Sequence, residues 1–297
     1  MTPDSRALPV SHPELRIDSH QHHWRLARGD YRWLTPGMPQ LYRDFLPEDL
    51  VPELERTSVR GTVLVQAADS DAETDFLLSL ASRTEHVRAV VGWVDMADAK
   101  APGRIRQLAR NPWFRGIRPM IQDIADPGWM LSPALTPAFS ALTELDLSFD
   151  ALVLTKHLDN LLALSERHPG LRIVIDHCAK PAIATGEFEP WATKIAALAA
   201  RTPAFCKLSG LVTEAGEGAN VLHLQSYVDH VLGCFGAGRL MWGSDWPVVN
   251  MAMPYGSWAT ITQQLLESVT EEDRRWIWGE TAREFYRIQA TGDGKTG

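Results

Sequence analysis

Two histidines separated by one residue follow an apolar run near the start of the sequence, in the segment DSHQHH at 18–23. Alternate residues of a strand project to the same side, so His20 and His22 are expected to share one face and His23 to point the other way. Two neighbouring imidazoles can bind one metal ion or polarise a substrate together. A lone His-x-His arises easily by chance, and its position at a strand end is what gives this one significance.

Two further ionisable residues end other apolar runs. His177 lies in DHCAKP at 176–181, and Asp245 lies in GSDWP at 243–247. A buried carboxylate is costly unless a charge or a metal pairs with it, so Asp245 is not expected to be an ordinary core residue. The carboxyl ends of barrel strands meet at one face, where barrel active sites lie. The sequence therefore predicts one reactive centre formed by His20, His22, His177 and Asp245.

The elements that position these residues are eight segments with the composition of buried strands. Continuous apolar runs such as TVLV at 62–65 are typical of parallel strands covered on both faces. Helical periodicity separates the runs, for example after the capping box formed by Ser70 and Glu73. The strands are predicted at 16–24, 61–68, 87–95, 114–121, 147–154, 171–177, 204–211 and 239–246. This alternation predicts an α/β fold, a single (β/α)8 TIM barrel.

The long gap after the first predicted strand has a different character. Residues 25–46 contain Tyr31 and Trp33, two prolines and no clear helical pattern, so we expect a long loop that forms a partial lid over the active-site face. No change of composition divides the rest of the chain. We therefore predict one barrel domain at 16–290, an N-terminal tail at 1–15 and a C-terminal tail at 291–297.

Composition and charge limit the classes of partner and the cell compartment that we expect. The 297 residues carry a formal net charge of −8, which argues against a nucleic-acid surface. No apolar run approaches the roughly 20 residues of a membrane span, and the polar N-terminus lacks a secretory apolar stretch. The three cysteines form no CxxC pair, which favours a reducing cytoplasm. We expect a cytoplasmic monomer or small homo-oligomer with no nucleic-acid or membrane partner.

Together the motifs around the four residues resemble those of the amidohydrolase superfamily, in particular its amidohydrolase-2 branch of sugar lactonases. Further matching segments are VGWVD at 91–95, RGIR at 115–118 and CKLSGL at 206–211. The resemblance extends from about residue 16 to residue 286. Within the branch the motifs are most similar to those of L-fuconolactonases, with L-rhamnonolactonases close behind.

The resemblance implies a hydrolase of carbohydrate metabolism that opens a small-molecule sugar lactone to its aldonic acid. Asp245 is expected to accept a proton from the water that attacks the ring ester. His177 is expected to stabilise the oxyanion, together with a metal on His20 and His22 or with those imidazoles alone.

The same resemblance bears on the metal. Binuclear relatives carry a carboxylated lysine at the end of strand 4, where this sequence reads GIRPM at 116–120. We therefore expect at most one divalent ion, zinc, with His20, His22, Asp245 and His177 as its ligands. A reaction that needs no metal remains open.

Five other residues are predicted to bind substrate. Arg118 is expected to contact ring oxygens or a carboxylate, the alternative being an ion pair at the barrel mouth. The three tryptophans at strand ends, Trp24, Trp93 and Trp246, are expected to pack on sugar C–H surfaces or within the lid. Lys207 either contacts substrate or is buried against Asp176 or Asp245; Lys180 and Gln122 are weaker candidates.

Three alternative functions remain. A lactone isomerase would transfer the acyl group to a neighbouring hydroxyl instead of water. A metal-dependent decarboxylase of the same superfamily would release carbon dioxide from an aromatic acid. A sugar-binding barrel that has lost catalysis is disfavoured, because all four residues of the predicted centre are present.

Overall fold

The structure, a computed structural model, describes residues 15–289. Eight parallel strands form one sheet in sequence order: β1 (Arg16–Gln21), β2 (Val59–Val65), β3 (Val87–Gly92), β4 (Phe114–Ile117), β5 (Ser148–Ala151), β6 (Arg172–Ile175), β7 (Phe205–Leu208) and β8 (Leu240–Trp242). An isolated parallel bridge between Gln21 and Trp246 joins β1 to the segment after β8 and nearly closes the barrel. The prediction of a single (β/α)8 barrel is confirmed.

All eight predicted strands are present, but each ends earlier than predicted. The first ends at Gln21 instead of residue 24, and the eighth ends at Trp242 instead of residue 246. The residues beyond each end are still largely buried, although they no longer belong to a strand; Asp245, for example, has a φ of 58°. Composition therefore indicated where the chain is buried, and it did not indicate where the strand conformation stops.

The helices that cover the barrel follow the predicted alternation. They are α1 (Pro47–Thr57), α2 (Asp71–Ala81), α3 (Ala101–Leu108), α4 (Thr136–Glu144), α5 (Leu158–Arg167), α6 (Trp191–Arg201), α7 (Leu211–Ala215), α8 (Val221–Phe235), α9 (Tyr255–Leu265), α10 (Glu271–Arg275) and α11 (Thr281–Phe285), with a π-helical turn at Trp276–Glu280. The hydroxyl of Ser70 accepts a hydrogen bond from the backbone N–H of Glu73 and caps α2 as predicted.

The C-terminal helix closes one end of the barrel interior. Inward side chains of β1, β2 and β3 form a cluster with Phe285 and Tyr286, at and just after the end of α11. Gly279, just before α11, lies so close to the backbone carbonyl of Leu15 that a side chain would collide with it. Because Leu15 precedes β1, α11 packs at the amino ends of the strands and leaves the carboxyl ends open.

The predicted long loop joins β1 to α1 and contains only one short 3₁₀ turn, Leu26–Arg28. Trp24 and Phe45 form an antiparallel bridge at its base. The indole N–H of Trp33 donates to the carbonyl of Ala67 at 2.7 Å, and the hydroxyl of Tyr31 donates to Glu73 at 2.8 Å. These bonds hold the loop on the segment that follows β2, at the carboxyl ends of the strands.

Both predicted tails lie outside the described residues, apart from Leu15. Within residues 15–289, no helix has the length and apolar character needed to cross a membrane.

Candidate active site

The structure brings the four predicted catalytic residues together at the carboxyl ends of the strands. The Nε2 atoms of His20 and His22 lie 3.2 Å apart. Oδ1 of Asp245 lies 3.3 Å from Nε2 of His22 and 3.9 Å from Nε2 of both His20 and His177. All four side chains are buried. Four nitrogen and oxygen atoms therefore converge on one point.

Backbone hydrogen bonds between β1 and the segment after β8 hold Asp245 beside His20 and His22. The N–H of Asp245 donates to the carbonyl of His20 at 2.8 Å, and the N–H of His22 donates to the carbonyl of Trp246 at 2.7 Å. Asp245 occupies the left-handed region, with φ 58°. That conformation costs an L-residue about 1–2 kcal/mol, and such strain concentrates at functional sites.

His177 begins a left-handed turn. The φ values of His177, Cys178, Ala179 and Lys180 are 52°, 52°, 60° and 50°. The indole of Trp191 donates to the carbonyl of Cys178 at 2.7 Å and holds the turn in place. At Gly210, with φ +68°, a Cβ atom would lie 2.7 Å from the His177 ring, so only glycine fits beside it. The strained turn thus aims the imidazole at Asp245.

The hydrogen-bond partners of Nδ1 in His22 and His177 bear on which nitrogen of each ring carries the proton. Nδ1 of His22 lies 2.8 Å from the carbonyl of Val65, which can only accept, so Nδ1 carries the proton and Nε2 presents a lone pair. Nδ1 of His177 pairs with the hydroxyl of Ser209 at 2.8 Å. Burial lowers the pKa of His22 and lowers that of His177 to about 4, so both rings are neutral at neutral pH.

Asp245 is ionised in this setting. Burial alone raises the pKa of Asp245, but the imidazoles of His177, His22 and His20 together lower it by more. The net pKa of the carboxyl therefore lies well below its ordinary value. At neutral pH a carboxylate oxygen therefore faces the lone pair of His22 at 3.3 Å. Two acceptors at that distance repel each other unless a cation or a proton donor lies between them.

This donor set fits one metal ion. Tetrahedral zinc with bonds of about 2.0–2.1 Å places its ligand atoms about 3.3–3.4 Å apart. The three pairwise distances among His20 Nε2, His22 Nε2 and Asp245 Oδ1 are 3.2, 3.3 and 3.9 Å. A second ligand group of His20, Asp176 and His177 shares His20 with the first.

The second group already has a cation. Nζ of Lys207 lies 3.2 Å from Nδ1 of His20 and 3.0 Å from Oδ1 of Asp176. It also donates to Oδ2 of Asp150 at 2.6 Å, and the hydroxyl of Tyr286 donates to the same oxygen at 2.6 Å. Lys207 is fully buried. Of the two roles expected for Lys207, the structure shows the burial, because its ammonium is held beneath the histidines in an ion pair with Asp150 and Asp176.

Asp150 was missed by sequence reasoning although a signal existed. Asp150 and Lys207 are the charged residues of two buried strands, β5 and β7, and neither ion could be buried alone. Asp176, one of the two partners expected for Lys207, does contact its ammonium at 3.0 Å, whereas Asp150 was not among the expected partners.

Arg118 lies where the cavity and the buried charges meet. Its Nη1 is 3.3 Å from Nε2 of His20 and 3.6 Å from Oδ2 of Asp176, and its Nη2 donates to the carbonyl of Gln66. Arg118 also lines the cavity above the four residues. It therefore combines an ion pair with a surface open to a ligand, so the two roles considered for it are compatible.

The cavity above the centre has a volume of about 240 Å³. Trp33 and Met38 of the long loop line it, which agrees with the partial lid expected of residues 25–46. The weaker candidates Gln122 and Lys180 also line it, with His22, His177 and Asp245 at its base. A larger groove of about 1470 Å³ lies between α1 and α9 and contains none of the four residues.

Three predicted substrate-binding tryptophans are not among the cavity's lining residues in the described part of the chain. Trp24 is fully buried against Phe45 and Trp33, and Trp246 is buried against Phe45. Trp93 pairs through its backbone with the hydroxyl of Thr74. Trp24 and Trp246 therefore pack at the base of the long loop, which is the alternative role expected for them.

Comparison with known proteins agrees with this geometry. The family model described as amidohydrolase matches residues 17–288. A curated protein of Burkholderia ambifaria named L-fucono-1,5-lactonase is 48% identical over 284 residues, covering 94% of this chain and 98% of its own length. A Burkholderia multivorans protein of the same name is 36% identical over 293 residues, covering 95% and 99%.

A solved structure has a similar fold over almost the whole chain. The crystal structure of an amidohydrolase from Burkholderia multivorans with bound zinc superposes with a TM-score of 0.87 at 37% identity, covering 93% of this chain and all of the other. The chain therefore belongs to the amidohydrolase family, as the resemblance of its motifs predicted.

Proposed function

We propose that this amidohydrolase hydrolyses the ring ester of a sugar lactone to give the aldonic acid, with L-fucono-1,5-lactone and its stereochemical relatives as the substrate class. The observation that carries the proposal is the convergence of the Asp245 carboxylate with the imidazoles of His20, His22 and His177 at the base of the cavity. Curated relatives that match nearly the whole chain carry the name L-fucono-1,5-lactonase.

Asp245 is proposed as the general base. A water molecule above it loses a proton to the carboxylate as the water oxygen attacks the lactone carbonyl carbon. The base must stay ionised at neutral pH, which its lowered pKa provides. The product of this step is a tetrahedral oxyanion that still contains the ring oxygen.

His177 is proposed to stabilise that oxyanion. If the hydroxyl of Ser209 donates to Nδ1, the neutral ring carries its proton on Nε2, which faces the cavity and can donate to the oxyanion. Arg118 is proposed to bind ring hydroxyls or the developing carboxylate from the opposite wall. Cleavage of the bond between the carbonyl carbon and the ring oxygen then opens the ring, and protonated Asp245 returns its proton to that oxygen.

We also propose that His20, His22 and Asp245 hold one zinc ion. His177 would be a fourth ligand only with no proton on its Nε2, and in that state it would not donate to the oxyanion. Nitrogen and carboxylate ligands at this spacing suit zinc, and a related solved structure contains it. When bound, such an ion acts as a Lewis acid and lowers the pKa of water. A ligand nitrogen must be deprotonated, so His20 and His22 would each present the lone pair of Nε2 to the ion.

The test is a panel of sugar lactones in weak buffer with a pH indicator. Hydrolysis releases a proton from the aldonic acid, whereas isomerisation of a lactone releases none, and NMR of the product identifies the open-chain acid. Acidification with 6-deoxyhexono-1,5-lactones is expected. A panel without acidification, or a product that is another lactone, would reject the hydrolase.

A further inference from the structure

A second cavity of about 300 Å³ adjoins the first at Asp245. The two share Lys180, Asp245, Val248 and Met251. The remaining wall of the second cavity, which we call the side compartment, is formed by Gly210, Thr213, Glu214, Gly216 and Ala252. The main cavity alone is smaller than the roughly 300–1,000 Å³ typical of ligand sites, and the side compartment brings the joint space into that range.

The side compartment has a polar wall with hydrogen-bonding capacity to spare. Nζ of Lys180 lies 3.4 Å from Oε1 of Glu214, and both side chains are about three-quarters buried, with exposures of 23% and 28%. The hydroxyl of Thr213 donates to the carbonyl of Gly210 at 2.7 Å, which leaves its oxygen able to accept. An ammonium has three donors and a carboxylate about four acceptor sites, so one ion pair uses only part of them.

The opposite wall is apolar. Val248, Met251 and Ala252 follow Asp245 along the chain and face the same space. The Lys180–Glu214 pair has no net charge, so the net charge of the lining is that of Asp245, at the junction with the main cavity. The rest of the compartment offers donors, acceptors and apolar contact, which suits neutral hydroxylated carbon.

The chemistry of lactone opening identifies which part of a substrate would lie there. In a 1,5-lactone the ring oxygen joins the carbonyl carbon to the carbon that bears the exocyclic substituent. Protonation of that oxygen by Asp245 requires both within hydrogen-bond reach, about 2.6–3.2 Å. The first atom of the exocyclic substituent is then two bonds beyond the ring oxygen, close to Asp245, where the side compartment joins the main cavity.

We propose that the side compartment is a subsite for the exocyclic substituent of the lactone, and that Lys180, Thr213 and Glu214 bind hydroxyl groups on it. This inference rests on the proposed lactone hydrolysis. It extends the substrate class to aldono-1,5-lactones whose exocyclic substituent is a hydroxylated carbon chain longer than a methyl group. Lys180 and Glu214 act on substrate selection, and the ester chemistry is performed by Asp245 and His177.

The experiment compares three lactones of identical ring stereochemistry with methyl, hydroxymethyl or dihydroxyethyl substituents. Ala252→Leu fills the side compartment without changing a residue of the main cavity. Glu214→Gln removes the negative charge of the Glu214 carboxylate. Ala97→Leu, at an exposed position, is the matched control. The measured quantity is the ratio of kcat/KM for the dihydroxyethyl lactone to kcat/KM for the methyl lactone, which cancels losses from misfolding.

Wild type is expected to hydrolyse all three lactones. Ala252→Leu should lower the ratio at least about tenfold, as blocked pocket space does. Glu214→Gln should lower it about fivefold, the value of one hydrogen bond; Ala97→Leu should leave it unchanged. The proposal is overturned if neither variant changes the ratio, or if wild type hydrolyses the methyl lactone and not the extended ones. A wild type that hydrolyses no lactone rejects the proposed function itself, and the subsite with it.

Discussion

Nε2 of His22 lies 3.3 Å from Oδ1 of Asp245, and at neutral pH neither atom carries a proton for the other. The proton of His22 is on Nδ1, bound to the carbonyl of Val65. Burial keeps the ring neutral, and the carboxylate is ionised. The two acceptor atoms can therefore bind a positive group between them, either a metal ion or the proton of an attacking water.

Replacing that carboxylate tests the base. Asp245→Asn preserves shape and removes the proton acceptor, so lactone turnover should fall about 10²–10⁴-fold with little change in the unfolding midpoint. Asp75→Asn, which neutralises an exposed carboxylate of α2, is the control. Near-native turnover in Asp245→Asn would assign the base elsewhere, with His177 next in line.

The metal site predicts a stoichiometry. Elemental analysis of the purified protein should find no more than one equivalent of zinc per chain, because the other ligand group already holds Lys207. His22→Ala should weaken zinc binding at least about tenfold by removing one ligand, whereas His223→Ala, at an exposed position, should not. Two equivalents per chain contradict the single site, and full activity after complete removal of metal makes the ion dispensable.

The buried ammonium of Lys207 predicts a stability effect. Lys207→Met leaves Asp150 buried without its cation and Asp176 with Arg118 alone, and removal of one partner from a buried ion pair costs about 3–5 kcal/mol. Urea unfolding measures the loss. The exposed Lys156→Met should change stability by less than about 0.5 kcal/mol.

A double variant measures the contribution of the Lys207–Asp150 contact to stability. Asp150→Asn removes one of the two carboxylates that Lys207 neutralises, so Lys207→Met combined with Asp150→Asn should lose less stability than the sum of the two single variants. Strict additivity would show that the contact between Lys207 and Asp150 contributes nothing to folding.

Glu73, which holds the long loop through Tyr31, predicts a pH dependence of stability. Burial raises its pKa from 4.5 to about 7, even though hydrogen bonds from Ala67 and Tyr31 favour the ionised form. The folded state therefore binds the proton more tightly than the unfolded state, and stability is lost as pH rises from 4.5 through about 7. The loss is at most about 3 kcal/mol.

Glu73→Gln should remove this dependence. Between pH 5 and pH 8 (about the window of the raised pKa), wild type should lose stability relative to Glu73→Gln, measured by urea unfolding at each pH. Glu48→Gln, on the exposed side of α1, should follow wild type at both pH values. A constant difference between wild type and Glu73→Gln contradicts the raised pKa.

Local sequence patterns determined the barrel and the location of its chemistry. Apolar runs identify strands buried on both faces, and alternation of strands with helices fixes the barrel. Parallel strands then place all their carboxyl ends at one face. The positions of His20, His22, His177 and Asp245 relative to one another followed from that topology, without knowledge of any individual contact.

Tertiary structure alone decided the roles of the charged and aromatic residues around that centre. Lys207 pairs with Asp150, which is 57 positions away, and Tyr286 reaches the same carboxylate across 136 positions. The left-handed turn at His177 depends on Trp191 and Gly210, and burial of Trp24 and Trp246 depends on Phe45. A residue's own neighbours in sequence set its backbone preference and its tendency to be buried, whereas its partner is set by packing of distant segments, which no local pattern records.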